Sequence, residues 1–164
     1  MEERGFTFIE LVITIMIVGI LAAIAVPSYL KYLEKDKQAT AISDITTIAA
    51  KLKEIMMDNP DALPASLAQL NLGYLLPIDP SGVPCDPWKN PYQYLPLYGH
   101  LGDHSYMNDA RKDHNTHPIN TDFDLYSMGP DGQTAKPLTN AKSRDDIIRA
   151  NDGAFVGVAT TYDP

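Results

Sequence analysis

The chain has 164 residues and a formal net charge of -8, and 21% of its side chains are charged. This length fits one modest domain with an attached segment. The acidic charge excludes most nucleic-acid-binding proteins, because contacts with phosphates need clustered Lys and Arg side chains. The one cysteine, Cys85, excludes an internal disulfide. The fold therefore depends on its core, on a bound metal or on assembly with other copies.

The segment from Leu11 to Leu30 contains no charged residue. Its 20 residues reach about 30 Å as a helix, which matches the thickness of the hydrocarbon core of a membrane. Its 11 Leu, Ile and Val residues favour insertion by about 3 to 7 kcal/mol in total. We therefore predict a membrane-spanning helix over residues 6–30.

Glu10 stands directly before this apolar segment. A carboxylate near the centre of a membrane helix costs about 2.5 to 3.5 kcal/mol, so an ionisable group there indicates a function. One alternative is an ordinary signal anchor in which Glu10 faces the lipid headgroups. A second alternative is a secretory signal peptide cleaved after the small residues at 23–25, although one basic and two acidic residues in the first five make a poor signal-peptide start.

The spacing of Gly5, Phe6 and Glu10 resembles the processing site of type IV prepilins and of the pseudopilins of type II secretion. Gly19 and Pro27 also fall where those families have a glycine and a proline. The resemblance implies that a prepilin peptidase cuts between Gly5 and Phe6, removes the leader 1–5 and methylates the new amino group of Phe6. A positive amine is costly in lipid, and Glu10 of a neighbouring copy can neutralise it during assembly.

The basic residues do not favour the membrane orientation that this resemblance implies. Lys31, Lys35 and Lys37 follow the apolar segment, whereas Arg4 precedes it. Counting basic residues would therefore place the leader outside the cytoplasm. The resemblance implies a single-pass protein of the bacterial inner membrane with its leader in the cytoplasm and its head in the periplasm, and we follow the more specific processing motif.

Residues 31–58 form the second half of the same predicted helix. Apolar residues recur at alternating spacings of three and four, which places them on one helix face. We expect this face to pack on the core of the head, although a partner helix is an alternative. Pro27 predicts a bend, and the sequence Asp58-Asn59-Pro60 predicts the end of the helix. The apolar residues of this face are Ile42, Ile45, Ala49, Leu52 and Met56.

Residues 59–164 are predicted to form a globular head with short strands. Alternating patterns predict strands at Tyr92 to Leu95, Phe123 to Met128 and Ala154 to Thr160, and Leu63 to Leu72 favours a short helix. The polar segment Gly99 to Asp122 is interpreted as an excursion between two strands. The fold class is therefore α+β. A long N-terminal helix, which consists of a hydrophobic stem plus an amphipathic half, is expected to pack on a small antiparallel sheet in a pilin-like way.

Two stretches of the head, Asp86 to Tyr94 and Phe123 to Gln133, resemble major pseudopilins of type II secretion systems. The resemblance implies a structural subunit of a periplasmic pseudopilus that helps to export proteins. Its implied partners are further copies of the chain, minor pseudopilins, the prepilin peptidase, an inner-membrane assembly platform and the ATPase of that platform. An extracellular filament like a type IV pilus is the alternative.

Major pseudopilins bind calcium in the loop after the second stretch, and the resemblance implies Asp131, Asp145 and Asp146 as calcium ligands. Calcium prefers about six to eight oxygen ligands. The stretch Thr134 to Arg144 departs from the family pattern, because it contains three basic residues. A rival interpretation is local: Ser143 followed by Asp146 resembles a capping box, which predicts the start of a helix.

Four histidines in the polar excursion give the only support for an enzymatic function. The enzyme would be a membrane-anchored, metal-dependent hydrolase. A solvated loop explains them as well, because metal sites need a rigid supporting shell. The sequence contains no nucleophile elbow, phosphate-binding loop or Cys-rich metal motif. We therefore predict that the protein is not an enzyme. The four residues are His100, His104, His114 and His117.

Overall fold

The structure is a computed structural model that describes residues 5–163. The described residues contain two α-helices and four β-strands, which confirms the α+β class. The remaining leader residues, Met1–Arg4, lie outside the described residues. The chain divides into two compact units, of which the first ends at Asp36 and the second begins at Lys37. The elements are α1 (Phe8–Asp58), β1 (Gln93–Pro96), α2 (His104–Asp109), β2 (Phe123–Ser127), β3 (Ile147–Ala150) and β4 (Phe155–Val158).

In the first unit, helix α1 presents apolar side chains on all sides. Phe8 is 83% exposed and Ile24 is 68% exposed, and no residue of the unit from Gly5 onward is buried within the chain. The helix continues through Pro27, although proline removes one backbone donor from a helix interior. By length and composition, α1 can cross a membrane. A helix that is apolar all round needs an apolar environment, which is either lipid or other protein.

In the second unit, the later turns of α1 contribute one face to the core of the head. Ile45, Ile48 and Leu52 are fully buried in a cluster with Phe123 of β2 and Ile147 of β3. This spacing of three and four residues confirms the predicted amphipathic half and its packing on the head. The helix ends at Asp58, as the sequence Asp58-Asn59-Pro60 predicts.

The four strands form one antiparallel sheet in the order β1-β2-β3-β4. One face of the sheet packs against the α1 cluster. The opposite face carries a second, smaller cluster in which Ile148 and Ala150 of β3 contact Ile119, Leu138 and Ala159. Strands β1, β2 and β4 confirm the three strands that the sequence predicts, to within a few residues at each end.

Strand β3 contradicts the rival interpretation, in which Ser143 starts a helix. Residues Ala141–Ser143 form a single 3-10 turn, and Ser143 uses its hydroxyl to bond the backbone of Ala135. All four residues of β3 are buried, because β3 lies between β2 and β4 and packs on both faces. A strand buried on both faces has no alternating pattern. The charge of Arg149 further hides this strand from sequence analysis.

Two other local predictions also differ from the structure. The predicted helix at Leu63 to Leu72 is replaced by two 3-10 turns, Leu67–Leu70 and Leu72–Tyr74, because Asn71 between them is left-handed with φ 49°. Conversely, the polar excursion contains the short helix α2. Its start is explained by Asp103, whose carboxylate accepts the Ser105 N–H at 2.8 Å.

We expect the substitution Ile45→Ala to lower the free energy of unfolding by about 2 to 5 kcal/mol, because it leaves a cavity in the packed core. Met57→Ala is the matched control: Met57 is 85% exposed on the same helix, and its truncation is expected to change stability by less than about 0.5 kcal/mol. Urea unfolding of the full chain in detergent, followed by Trp88 fluorescence, measures both. Equal losses in the two variants would show that this face of α1 does not pack in the core.

Candidate functional site

The predicted processing site lies just before helix α1. Gly5 and Phe6 are outside the helix, and the Phe6 side chain is 85% exposed. A peptidase needs an accessible, non-helical bond, because a helix holds its backbone groups in internal hydrogen bonds. The bond between Gly5 and Phe6 meets this requirement.

Thr7 and Glu10 cap the start of α1 reciprocally. The Thr7 N–H donates to Glu10 Oε2 at 2.8 Å, and the Glu10 N–H donates to Thr7 Oγ1 at 3.4 Å. The Thr7 hydroxyl also donates to Glu10 Oε2 at 2.7 Å. This arrangement is a capping box, which satisfies backbone donors that the first turn leaves free. This capping role of Glu10 was not predicted, although the pattern Thr-x-x-Glu in the sequence indicates it.

The capping box also fixes where the charge of Glu10 lies. Its carboxylate is bonded to Thr7, which directly follows Phe6. Cleavage after Gly5 would therefore create a positive amine one residue away from the group that holds the carboxylate. Such a carboxylate is also favoured at a helix N-terminus by the helix dipole.

The predicted calcium ligands lie around the turn after β2. Asp131 Oδ1 accepts the Gln133 N–H at 2.7 Å, and the Asp131 N–H approaches Asp145 Oδ2 at 3.4 Å. Gly129 lets the backbone of this turn pass close to Asp145, because its φ is +65° and a Cβ there would lie 2.5 Å from the Asp145 carbonyl oxygen. The structure therefore brings Asp131 and Asp145 together.

Asp146 is used differently from the other two carboxylates. It is fully buried, and its Oδ2 accepts hydrogen bonds from Arg111 Nη2 and from the Thr134 hydroxyl, both at 2.6 Å. Burial raises the pKa of the Asp146 carboxyl, and the Thr134 hydrogen bond and the charge of Arg111 oppose that rise. Asp146 Oδ1 has no hydrogen-bond partner.

The three aspartates do not fit a calcium ion as one ligand set. Within residues 5–163, no three His, Cys, Asp or Glu side chains are grouped as a metal site. Calcium needs about six to eight oxygens at 2.3 to 2.6 Å, and the free Oδ1 of Asp146 supplies one. Calcium binding through Asp131, Asp145 and Asp146 stays a prediction of the resemblance that the positions of these residues do not favour.

The histidines of the excursion have separate surroundings. The His100 ring stacks on Tyr106 with centroids 3.9 Å apart, and His114 Nδ1 lies 2.8 Å from the Asp113 carboxylate. His104 begins helix α2, which does not include His100. His100 and His104 therefore do not share a helix face in this described segment.

Arg111 is the residue of this region that sequence analysis missed. It is 2% exposed, and its Cζ lies 4.2 Å from the ring centroid of Tyr126. It also lines an open cavity of about 560 Å³ on the sheet, beside Tyr94 and Asp124. Nothing in the sequence separates Arg111 from Lys112, which follows it and is exposed.

Comparisons with known proteins agree with the N-terminal motif and extend beyond it. Residues 1–26 match the family described as Prokaryotic N-terminal methylation motif. The chain is 32% identical over 148 residues to the type II secretion system core protein G of Pseudomonas aeruginosa, covering 80% of this chain and 87% of that protein. It is 29% identical over 157 residues to the protein of the same name from Escherichia coli, covering 85% and 91%.

A further similarity covers a shorter part of the chain. A fimbrial protein of Dichelobacter nodosus is 40% identical over 68 residues, which are 39% of this chain and 42% of that protein. No solved structure matches the chain significantly. The similarity to core protein G, in contrast, includes most of both chains and confirms the resemblance that Gly5, Phe6, Glu10 and the two head stretches carry. The chain belongs to the family of the type II secretion system core protein G, the major pseudopilins.

Proposed function

We propose that this chain is the structural subunit of a periplasmic pseudopilus, a filament that assembles from the inner membrane and helps to export proteins by type II secretion. The observation that carries this proposal is the similarity to core protein G over 80% of the chain, together with the methylation motif at residues 1–26. The role is mechanical and requires no catalysis by the chain itself.

In the proposed function, the apolar part of α1 occupies two apolar environments, one before assembly and one after it. Before assembly, α1 anchors the chain in the inner membrane with the head in the periplasm. In the filament, the same apolar residues contact the stems of other copies. Both environments cover side chains that are exposed in the single chain, such as Ile13, Ile17 and Ile20. An uncovered apolar surface of this extent is not stable in water.

The proposed partners follow from the same family. The prepilin peptidase cuts and methylates the chain, and an assembly platform in the inner membrane with its cytoplasmic ATPase adds subunits to the filament. Minor pseudopilins share the filament with this subunit. The family and the membrane-anchored N-terminal helix support a filament with other secretion components.

The second candidate function is an extracellular filament like a type IV pilus. It is favoured by the 68-residue similarity to a fimbrial protein. Deleting the gene in the native host separates the two functions. We expect exported proteins to accumulate in the periplasm while surface filaments persist, and expression of the chain should restore export. Loss of surface filaments with normal export would instead establish the pilus.

We expect the mature chain to begin with an N-methylated Phe6, because the bond after Gly5 is accessible and lies in the processing motif. The intact mass of protein purified from membranes measures the loss of residues 1–5 and the gain of one methyl group. The substitution Gly5→Leu should leave the full-length chain, because it changes the residue before the cut without altering α1. Loss of all residues up to Ala25 would show a conventional signal peptide instead.

We expect Glu10→Ala and Glu10→Gln both to insert into the membrane normally and both to fail to form filaments. Neither variant carries the charge that neutralises the Phe6 amine, and removing the carboxylate makes insertion easier. Electron microscopy of sheared filaments and membrane fractionation measure the two properties.

The Glu10→Gln variant separates charge pairing from helix capping. Glutamine still accepts the Thr7 N–H in a capping box, whereas alanine does not. Abundant filaments from Glu10→Gln but not from Glu10→Ala would show that capping is the function of Glu10. Abundant filaments from both variants would exclude either role in assembly.

A further inference from the structure

Arg111 connects the excursion before β2 with the loop after β2. It lies in the excursion between β1 and β2, directly after helix α2 and Ala110. Its side chain is 2% exposed and packs over the ring of Tyr126. A buried guanidinium is costly unless charges and hydrogen bonds satisfy it, so its partners indicate why it is retained.

The partners of Arg111 lie at both ends of the loop after β2. Its Nη2 bonds Asp146 Oδ2 at 2.6 Å, and its Nη1 donates to the Thr134 hydroxyl. The same hydroxyl donates to Asp146 Oδ2 at 2.6 Å, which closes a triangle of three side chains. The backbone N–H of Arg111 donates to Asp124 Oδ2 at 2.6 Å and thereby attaches the excursion to β2.

We propose that the Arg111 guanidinium supplies the positive charge that holds the loop from Gly129 to Asp146 closed, and that the head reaches full stability without calcium. A positive charge from the chain itself closes this loop between Thr134 and Asp146. The proposal concerns how the head is held together, and it stands independently of what the filament does.

The arrangement excludes a calcium ion on the bonded oxygen of Asp146. Calcium would have to lie 2.3 to 2.6 Å from a ligand oxygen, and Arg111 Nη2 already occupies a position 2.6 Å from Asp146 Oδ2. Asp146 Oδ2 already accepts two hydrogen bonds, from Arg111 Nη2 and from the Thr134 hydroxyl. These bonds use both of its lone pairs, so Oδ2 has none left for calcium. Arg111 and a calcium ion are therefore alternatives at Oδ2, and Oδ1 is the oxygen of this carboxylate that accepts no hydrogen bond.

The rest of the loop also opposes a bound divalent cation. Residues 134–144 carry Lys136, Lys142 and Arg144. The Lys136 Nζ pairs with Asp109 at 2.9 Å, so the loop forms a second ionic contact with the excursion. Added positive charge lowers the affinity for calcium, whereas it suits a loop that is closed by an internal ion pair.

The first test is the calcium dependence of the unchanged chain. Full-length protein in detergent is melted in excess calcium and after treatment with EDTA, and Trp88 fluorescence follows the head. We expect the two Tm values to agree within about 1 °C, because no calcium site adds binding free energy to the folded head. A calcium site filled at a hundredfold excess over Kd would raise Tm by about 5 to 11 °C. A rise of that size would overturn the proposal.

The second test removes the guanidinium. Arg111→Met keeps an unbranched side chain but leaves the Asp146 carboxylate buried and unpaired, which should lower Tm by about 6 °C or more. Lys112→Met is the matched control, because Lys112 is the exposed neighbour, and its Tm should change by less than about 2 °C. Equal effects of the two substitutions would overturn the proposal.

A double variant tests the pairing itself. In Arg111→Met with Asp146→Leu, no buried charge is left without a partner, so the Tm should recover part of the loss seen in Arg111→Met. A double variant whose loss equals the sum of the two single losses would show that Arg111 and Asp146 do not act as a pair. If Arg111→Met does not fold, the calcium measurement on the unchanged chain still decides.

Discussion

The exposed apolar surface of α1 is the constraint on which the rest of this protein depends. From Phe8 to Leu30 the helix has apolar side chains on all sides, so it requires lipid or other copies. From Ala41 to Leu52 the apolar residues of the same helix narrow to one face, which the sheet covers. The apolar pattern therefore changes along α1 from all-round to one-sided. This change indicates that the first part of the helix needs apolar surroundings, whereas the later part belongs to a head in water.

The head replaces disulfides with buried ion pairs between segments that are far apart in the sequence. Arg149 of β3 forms two hydrogen bonds with the Asp122 carboxylate, and its guanidinium lies over the Phe123 ring at 4.1 Å. Arg111 and Asp146 make the second such pair. A buried pair adds little net stability compared with apolar residues, but losing one partner costs about 3 to 5 kcal/mol. Each pair therefore depends on both of its partners.

Elements with local patterns could be predicted from the sequence, whereas elements that depend on tertiary contacts could not. The face of α1, its end at Asp58 and strands β1, β2 and β4 follow from periodicity and turn residues. Strand β3 has no alternation because both faces are buried. The use of Asp146 was also missed, because its partner Arg111 is 35 residues away and a loop arginine gives no sign of burial. The Thr7 and Glu10 capping box was predictable, because its spacing is a known helix-start pattern.

The capping box explains how Glu10 can be stable at a membrane helix and still keep an oxygen for pairing with an amine. Placing a carboxylate in a membrane costs about 2.5 to 3.5 kcal/mol. The apolar residues of the helix favour insertion by about 3 to 7 kcal/mol, which has to exceed this cost. Hydrogen bonds from the Thr7 N–H and hydroxyl satisfy the carboxylate within the single chain, and the positive end of the helix dipole favours it further. Both bonds use Oε2, so they leave the second oxygen for an amine. In the function we propose, the same carboxylate is stabilised by Thr7 before assembly and pairs through its second oxygen with Phe6 of a neighbouring copy when the filament forms.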